Sequence, residues 1–295
     1  MSRPMPISLY DPSTQQKRAL VAGQVPSPAC AAVEAGAVPL DELRRLVVSD
    51  VLQRVLPFHK VQAGGALAAA LSRVTRDELA DACEPESLRF FLLSAHYRAP
   101  LSLVRDDADH DTAPALPFPQ LDECERRLSY LYAAKKRFVE LPPERIIAVQ
   151  TAPASPLAAL PDALTQALEN DLDTPLALAE VQEFAIAVNA LCDAALRKKG
   201  HVNASAVEAA QAGLSTLAGL LGLGGETPSA FLLRVRNRRA RRLGIDVAAI
   251  DATVARRSEA RANKDFATGD QLQADLLAQG ISLLDGVHGT SWTLS

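Results

Sequence analysis

Aromatic and sulfur-containing side chains are scarce in this chain. Only 4% of its 295 residues are aromatic, and it contains four cysteines, two methionines and one tryptophan. By contrast, 48% of the residues are hydrophobic, and most of these are alanine or leucine. Alanine and leucine favour helices, whereas aromatic and β-branched residues favour strands, so the composition predicts a mainly α fold. The apolar fraction is high enough to exclude a wholly disordered chain.

The sequence also lacks the long apolar runs of membrane and secretory proteins. No window approaches about 18 consecutive strongly apolar residues, and residues 1–18 have no apolar stretch of the secretory type. We therefore expect a cytoplasmic protein with no membrane partner. The cysteines form no CxxC pair and are too sparse for a disulfide framework, so we expect reduced and mostly buried thiols. They are Cys30, Cys83, Cys124 and Cys192.

We expect four parts along the chain, which are residues 1–74, 75–119, 120–231 and 232–295. In the first part, residues 7–12 read as a strand, and apolar residues at helical spacing predict a helix from Pro39 to Pro57. A further helix is predicted from Thr75, where acidic residues fill the first turn. Pro85 interrupts this helix, a second helix is predicted over residues 86–93, and residues 106–119 form an acidic, proline-rich linker.

Helical periodicity dominates the third part. Apolar residues at intervals of three and four predict helices over residues 121–132, 178–195 and 207–221, and Gly222 ends the last of them. Thr174 precedes Pro175 and is the predicted N-cap of the middle helix. The prolines between the first two helices predict a loop; they are Pro142, Pro143, Pro153, Pro156 and Pro161.

The last part combines positive charge with a small α+β pattern. Residues 232–264 hold ten basic and three acidic residues, a local charge of +7 in a chain whose total is −4. Such asymmetry is typical of polyanion-binding segments, although a solvated helix face or a flexible basic hinge has the same composition. Beyond it, two helices separated at residues 263–265 and capped by Gly280 precede two short strands.

Several segments resemble bacterial cysteinyl-tRNA synthetase and occur in that family's order. The specific ones are ESLRFFLLSAHYRAPLSL (86–103), LENDLDTPLALAEV (168–181) and RSEARANKDFATGDQLQADLLAQGISLLDGVHGTSWTL (257–294), and the weaker ones are residues 7–18 and 43–56. The resemblance implies a small α/β remnant of the catalytic domain at the N-terminus, followed by a connector. An antiparallel helical bundle of the class Ia synthetase anticodon-binding type and a small C-terminal α+β domain would then follow.

The positions that correspond to the family's catalytic motifs carry other residues. Counting without gaps, the family's His-Ile-Gly-His/Asn stretch, which holds ATP, falls on Pro39, Leu40, Asp41 and Glu42. Its Lys-Met-Ser-Lys-Ser loop, whose lysines neutralise charge during adenylate formation, falls on Gly65, Ala66, Leu67, Ala68 and Ala69. Of the family's Cys, Cys, His and Glu zinc ligands, only Cys30 has a counterpart. We therefore expect no catalytic residue, no metal and no cofactor.

The resemblance thus implies a non-catalytic protein that binds tRNA through its bundle and C-terminal domain. The basic segment would contact phosphates, while bases would stack on the indole and hydrogen-bond to Arg and Asp side chains. The residues expected to bind tRNA are Arg234, Arg236, Arg238, Arg239, Arg241, Arg242, Arg257, Arg261, Lys264, Asp265, Asp270, Asp285 and Trp292.

Other interpretations remain open at this point. The helical array could instead dock a protein partner, such as a full-length synthetase or a biosynthetic enzyme. A working cysteine–tRNA ligase fits less well, because no recognisable catalytic constellation is present. Trp292 could anchor the core of its domain rather than stack on a base. The polar run of residues 96–98 could form a buried junction rather than a site.

Overall fold

The computed structural model describes residues 8–11, 16–19, 37–39, 44, 47–48, 50–51, 54, 73–75, 82–104, 118–148, 156–286 and 289–294. Eight helices with defined bounds dominate this part of the chain, so the predicted mainly α fold is confirmed. The helices are α1 (Pro85–Leu93), α2 (Pro119–Val139), α3 (Pro156–Glu169), α4 (Thr174–Leu196), α5 (Ala204–Leu221), α6 (Pro228–Arg242), α7 (Val247–Ala262) and α8 (Phe266–Ala278).

Short strands pair two by two between and after these helices. The strands are β1 (Ser8–Asp11), β2 (Gln16–Ala19), β3 (Ala37–Pro39), β4 (Arg73–Thr75), β5 (Ile146–Ile147), β6 (Val202–Asn203), β7 (Ile281–Gly286) and β8 (Gly289–Leu294). Three pairs are antiparallel, namely β1 with β2, β3 with β4, and β7 with β8. The fourth pair, β5 with β6, is parallel and two residues long.

The chain divides into two compact units, and the boundary between them lies within α6, after Phe231. The first unit comprises residues 1–108 and 116–231, and the second comprises residues 109–115 and 232–295. In the first unit α4 packs against α2 and α3, α3 packs against α5, and α1 packs against α2. Leucine and aromatic side chains with almost no solvent exposure fill the core between them, among them Tyr132 and Phe184.

Helix α4 is long and strongly apolar. By length and composition alone it is the one described helix that could cross a membrane. Ten of its residues are buried, including Val181, Phe184 and Val188, and they pack against the neighbouring helices of the bundle. Its apolar character is therefore explained by its position in the core.

Close packing of α5 on its neighbours depends on a glycine. A Cβ atom built on Gly213 would lie 2.5 Å from Cε2 of Phe184, a separation that no real contact allows. Gly219, six residues further along the same helix, has nothing within 4 Å of the corresponding position. The first glycine is thus required by packing, whereas the second is not.

The loop that follows α5 is connected to α1 and α2 by a partly buried polar network. The Tyr132 hydroxyl donates a hydrogen bond to Glu86 Oε2 at 2.6 Å, and the Gly224 N–H donates to the other carboxylate oxygen. Lys135 Nζ donates to the carbonyl of Gly224 at 2.6 Å. Burial raises the pKa of Glu86 above its usual range, even though both hydrogen bonds favour the charged carboxylate.

Two arginines connect the described residues between 44 and 54 to the bundle. Buried Arg44 donates to the carbonyl oxygens of Ala99 at 2.6 Å and Ala95 at 2.7 Å, in the segment that follows α1. Arg89 of α1 pairs with Asp50 and donates to the carbonyl of Leu221 at the end of α5. These contacts satisfy carbonyl groups that have no helical partner.

The second unit has its own core beneath the β7–β8 hairpin. Side chains from α6, α7, α8 and the hairpin form it: Ala240, Ile250, Val254, Leu276, Ile281 and Trp292. The predicted helix–break–helix and two-strand pattern of this region is confirmed, and Gly280 has the left-handed backbone expected at the end of a helix. Gly222 likewise ends α5 in the left-handed conformation.

The structure corrects the predicted proline-rich loop. Residues 156–169 form helix α3, with Pro156 at its first position and Pro161 in its interior. The missing N–H of Pro161 removes one helical hydrogen bond. Burial of Leu157, Leu160 and Leu164 on one face offsets this loss, so tertiary packing overrides the local preference.

Other element boundaries differ from the prediction. The N-cap of α4 is Asp173, whose carboxylate accepts the N–H of Leu176 at 3.1 Å, while the predicted cap Thr174 is the first residue of the helix. Pro39 and Thr75, predicted to begin helices, lie in the paired strands β3 and β4. Residues 232–242 belong to α6, so the beginning of the predicted basic hinge is helical.

The cysteines within the described residues are free thiols in the interior, as predicted. Cys83, Cys124 and Cys192 are all buried. Burial raises the pKa of Cys124 to about 12 and that of Cys192 to about 11, which suppresses thiolate formation. Cys30 lies outside the described residues.

Candidate nucleic-acid interface

The arginines of α6 differ widely in their exposure. Arg234 and Arg241 are exposed to solvent, Arg239 and Arg242 are half-buried, and Arg238 is buried. A charged group that contacts a polyanion must reach its phosphates. The exposed and half-buried arginines of this cluster are therefore the ones that a phosphate group can reach. Sequence reasoning grouped all of them together, since charge alone does not show which side chains turn inward.

The single tryptophan is a core residue. Trp292 retains 4% of its exposure, its Nε1 donates to Asp251 Oδ1 at 2.6 Å, and the Arg236 guanidinium lies 4.2 Å from its ring centroid. Arg236 Nη1 is also 3.8 Å from the same carboxylate. With its ring covered in this way, Trp292 has no free face for a nucleic-acid base. The structure therefore supports the anchoring role for Trp292, and Arg236 is engaged in the same cluster.

Arg257 is also engaged within the second unit. It retains 2% of its exposure, and its Nη2 donates to Gln273 Oε1 at 2.9 Å. Its Nη1 lies 3.5 Å from Thr290 Oγ1 of β8. This guanidinium thus connects α7, α8 and the hairpin, which is a positioning role within the domain.

The turn between α7 and α8 gathers four exposed side chains of complementary chemistry. Arg261 Nη1 lies 3.5 Å from Asp270 Oδ1, and its guanidinium lies 6.0 Å from the ring centroid of Phe266. Lys264 is exposed in the turn itself, where its φ of 64° is left-handed. Gly269 accommodates the stem of Arg261, since a Cβ there would lie 3.1 Å from Arg261 Cγ. We call Arg261, Lys264, Phe266 and Asp270 the α7–α8 surface.

Phe266 is the member of this surface that sequence reasoning missed. Its side chain keeps 55% of its exposure, although most phenylalanines are buried. It directly follows Asp265, the N-cap of α8, whose carboxylate accepts the N–H of Thr268 at 3.1 Å. Hydrogen bonding to Thr268 lowers the pKa of Asp265, so this residue acts as a cap. The sequence did contain a signal for an exposed ring: Phe266 is an aromatic residue at the first position of a helix, before the apolar face of that helix begins.

Asp285 is the last predicted contact. It lies in β7 opposite Thr290 of β8. Its side chain falls outside the described part of the structure, so its relation to the α7–α8 surface stays a prediction.

The polar run after α1 forms a junction within the first unit. The Tyr97 hydroxyl donates to Asp171 Oδ1 at 2.7 Å, Arg98 Nη2 lies 2.5 Å from Asp171 Oδ2, and His96 Nε2 lies 3.0 Å from the Asp171 carbonyl oxygen. Asp171 and Leu172 both have positive φ values, of 63° and 50°. The three polar side chains therefore hold a strained turn between α3 and α4, as the structural alternative predicted.

The positions corresponding to the catalytic motifs fall almost entirely outside the described residues. These positions are 40–42, 65–69 and Cys30. Among the residues that the structure does describe, no group of three or more His, Cys, Asp or Glu side chains is arranged to hold a metal ion.

The chain is similar to known proteins over most of its length. Residues 163–224, from α3 to the end of α5, match the family described as "DALR domain". Annotated relatives named "Cysteine--tRNA ligase" include one from Anaeromyxobacter dehalogenans (strain 2CP-C), 37% identical over 70% of this chain and 39% of its own length. A second relative, from Desulfovibrio desulfuricans, is 33% identical over 71% of this chain and 41% of its own length. A third, from Geobacter sulfurreducens, is 31% identical over 74% of this chain and 42% of its own length.

The chain thus spans about two fifths of the length of these curated relatives. The resemblance to cysteinyl-tRNA synthetase noted in the sequence is confirmed, and the chain is cysteinyl-tRNA synthetase-like over most of its length.

Proposed function

We propose that this cysteinyl-tRNA synthetase-like chain is a non-catalytic tRNA-binding protein of the cytoplasm. The observation that carries the proposal is the α7–α8 surface, where an exposed aromatic ring, two cationic side chains and a carboxylate lie together. Single-stranded RNA is recognised by this combination of groups. Unstacked bases stack on aromatic rings, phosphates pair with Lys and Arg, and carboxylates accept from base amino groups.

Each member of the surface has a specific part in this proposal. Phe266 offers its exposed ring to a splayed base, and Arg261 lies close enough to the ring to stack on the same base or reach its phosphate. Asp270 is largely exposed and supplies hydrogen-bond acceptors for the edge of a base. Lys264 adds a flexible cation beside them. Base stacking of this kind contributes about 1–3 kcal/mol for each base.

The exposed arginines of α6 supply the second element of the proposal. Arg234 and Arg241 face solvent, in a segment with a local charge of +7. Contacts of this type to phosphates fix orientation and supply affinity without reading the sequence. We assign phosphate contacts to these arginines and base contacts to the α7–α8 surface.

The absence of amino-acid activation is proposed from the motif positions. Formation of an aminoacyl adenylate requires cationic groups on the departing pyrophosphate, and loss of one such group costs on the order of 100- to 1000-fold in rate. Here Asp41 and Glu42 stand where the family has phosphate-binding residues, and residues 65–69 contain no lysine. We expect these replacements to abolish ATP chemistry.

The binding proposal is tested by filter binding of labelled, unfractionated bacterial tRNA to the full chain at several salt concentrations. We expect affinity to fall steeply as salt rises, and we expect unlabelled polyuridylate to compete poorly. Equal competition by tRNA and polyuridylate would reduce the proposal to general charge attraction. Absence of tRNA binding at low salt would refute it.

The catalytic part is tested separately by ATP–pyrophosphate exchange. The purified chain is expected to show no exchange above background with cysteine or any other amino acid. Robust exchange with cysteine would overturn the non-catalytic proposal and would support a working cysteine–tRNA ligase. That result would leave the tRNA-binding proposal intact.

An alternative function as a protein-docking module is favoured by one observation. Three apolar residues of α4, Leu176, Ile186 and Leu196, keep between 45% and 53% of their exposure. Exposed apolar side chains of this kind are common at protein interfaces. Size-exclusion chromatography with a cysteinyl-tRNA synthetase, with and without tRNA, separates the two functions. A complex that forms equally well without tRNA would favour docking.

A further inference from the structure

A second basic feature lies in the first unit, outside the surfaces described above. Residues 197–201, in the sequence Arg-Lys-Lys-Gly-His, follow α4 directly, and we call them the basic turn. The side chains of Arg197, Lys198, Lys199 and His201 are all exposed to solvent.

The cations of the basic turn differ from most arginines of this unit in lacking acidic partners. Within the described residues, no carboxylate forms an ion pair with Arg197, Lys198 or Lys199. Several arginines elsewhere in the unit form ion pairs with carboxylates: Arg98 with Asp171, Arg126 and Arg127 with Glu123, and Arg137 with Asp193. The basic turn therefore presents a local positive charge that its protein surroundings leave uncompensated.

The backbone of the basic turn has a fixed shape. The Gly200 N–H donates to the carbonyl of Arg197 at 2.8 Å, and Arg145 Nη1 donates to the carbonyl of Gly200 at 3.1 Å. A Cβ on Gly200 would lie 2.1 Å from the carbonyl oxygen of Ala194, so no other residue fits this position. The parallel pair of β5 and β6 begins two residues later, at Val202.

This fixed shape requires an unfavourable backbone conformation at a lysine. Lys199 has φ of 60°, a left-handed value that residues other than glycine adopt rarely. The conformation places consecutive cations on a turn that loses little backbone entropy when a ligand binds. Pre-organised positive charge without acidic partners is what a phosphate group recognises.

We propose that the basic turn binds phosphates of the RNA backbone and is a second point of contact for tRNA, on the bundle. This inference rests on the proposed function. It assigns a role to side chains that the earlier set of predicted contacts did not include. Because Lys and Arg contacts to phosphate are independent of base sequence, the basic turn would add affinity and orientation without specificity.

A simpler role for these cations is stabilisation of α4 through its macrodipole, since they follow the C-terminus of that helix. That role predicts an effect on thermal stability and none on RNA binding. The two roles are therefore separable by measuring both quantities on the same variants.

The test uses two double variants of the full chain that remove the same charge. Lys198→Gln/Lys199→Gln alters the basic turn, whereas Arg126→Gln/Arg127→Gln alters two exposed arginines of α2 that already pair with Glu123. Filter binding of unfractionated tRNA is measured for each over a range of salt concentrations. Thermal unfolding followed by circular dichroism shows that both variants are folded.

The basic-turn variant is expected to bind tRNA more weakly than the wild type. The magnitude of its slope of log affinity against log salt concentration should be smaller by about one to two. The α2 variant is expected to keep the wild-type slope. If the two variants lose affinity equally, or if the first loses none, the basic turn does not contact RNA. If the wild-type chain itself fails to bind tRNA, this inference falls together with the proposed function.

Discussion

The indole nitrogen of Trp292 donates a hydrogen bond to the carboxylate of Asp251 at 2.6 Å, which joins β8 to α7. The guanidinium of Arg236 covers the ring at 4.2 Å and approaches the same carboxylate. One side chain each from α6, α7 and β8 thus meet at this point. The arrangement makes the single tryptophan a structural element of the second unit, so in the proposed interface base stacking is assigned to Phe266 instead.

Trp292→Phe is therefore expected to destabilise the second unit without removing a contact to RNA. Phenylalanine keeps most of the buried ring but cannot donate to Asp251, and the loss of one such hydrogen bond typically costs about 1 kcal/mol. Scanning calorimetry of the full chain measures the change. Asp251→Asn keeps an acceptor oxygen and is expected to cost less. A variant with unchanged stability but weaker tRNA binding would show that the indole contacts RNA directly.

Phe266→Ala is expected to weaken tRNA binding by about 1–3 kcal/mol, roughly 5- to 150-fold, because one stacked base loses its platform. Stability should change little, since the ring keeps 55% of its exposure. Leu277→Ala, at an equally exposed apolar position on α8, serves as the control and should bind normally. Filter binding compares the two variants. Equal losses in both would indicate a general apolar effect and remove Phe266 from the interface.

The two glycines of α5 are expected to respond in opposite directions to alanine. At Gly213 the added methyl group would clash with Phe184, and overpacking of this kind costs about 1–3 kcal/mol. At Gly219 the methyl group meets nothing, so the higher helix propensity of alanine should stabilise the chain by up to about 1 kcal/mol. Urea denaturation of Gly213→Ala and Gly219→Ala measures both effects. Stabilisation by Gly213→Ala would show that α5 packs less closely on Phe184.

Glu86 is expected to make the bundle less stable as the pH rises. Burial raises its pKa in the folded state, so the folded chain binds the proton more tightly than the unfolded chain. The stabilisation linked to that proton is present below the unfolded pKa and is lost as the pH rises through the folded pKa. Wild type should therefore lose unfolding free energy relative to Glu86→Gln as the pH rises above the usual pKa of a glutamate, as urea denaturation would show.

Glu123 on α2 provides a control, because its pKa is shifted in the opposite direction to that of Glu86. A hydrogen bond from Arg127 lowers the pKa of Glu123, so its contribution is present at neutral pH and is lost as the pH falls through the lowered value. Relative to Glu123→Gln, wild type should therefore gain stability as the pH rises. If both comparisons moved in the same direction, the assignment of the Glu86 shift to burial would be wrong.

The helices with regular apolar spacing were predictable from the sequence, because that spacing records which face enters the core. Helix α3 was missed because a local rule, the exclusion of proline from helix interiors, was outweighed by the burial of three leucines. The strand residues Pro39 and Thr75 were assigned to helices for a related reason. Strand pairing between distant segments leaves little trace in a local pattern.

The interface was predictable as a charged region but not residue by residue. Composition located the basic segment, yet it could not show that Arg238, Arg257 and Trp292 turn inward or that Phe266 turns outward. Orientation of that kind depends on tertiary packing. The junction around Asp171 illustrates the same limit, because its partners lie about seventy residues away in the sequence.

The contacts made by Arg44 and Arg89 bear on how the protein can be produced in pieces. A gene fragment that begins at residue 75 would omit Arg44 and Asp50, so the carbonyls of Ala95 and Ala99 would lose their donor and Arg89 its carboxylate. Through these hydrogen bonds and this ion pair, the leading segment stabilises the helices that follow it. Expression of the bundle by itself should accordingly yield a weaker, more protease-sensitive product than expression with its leading segment attached.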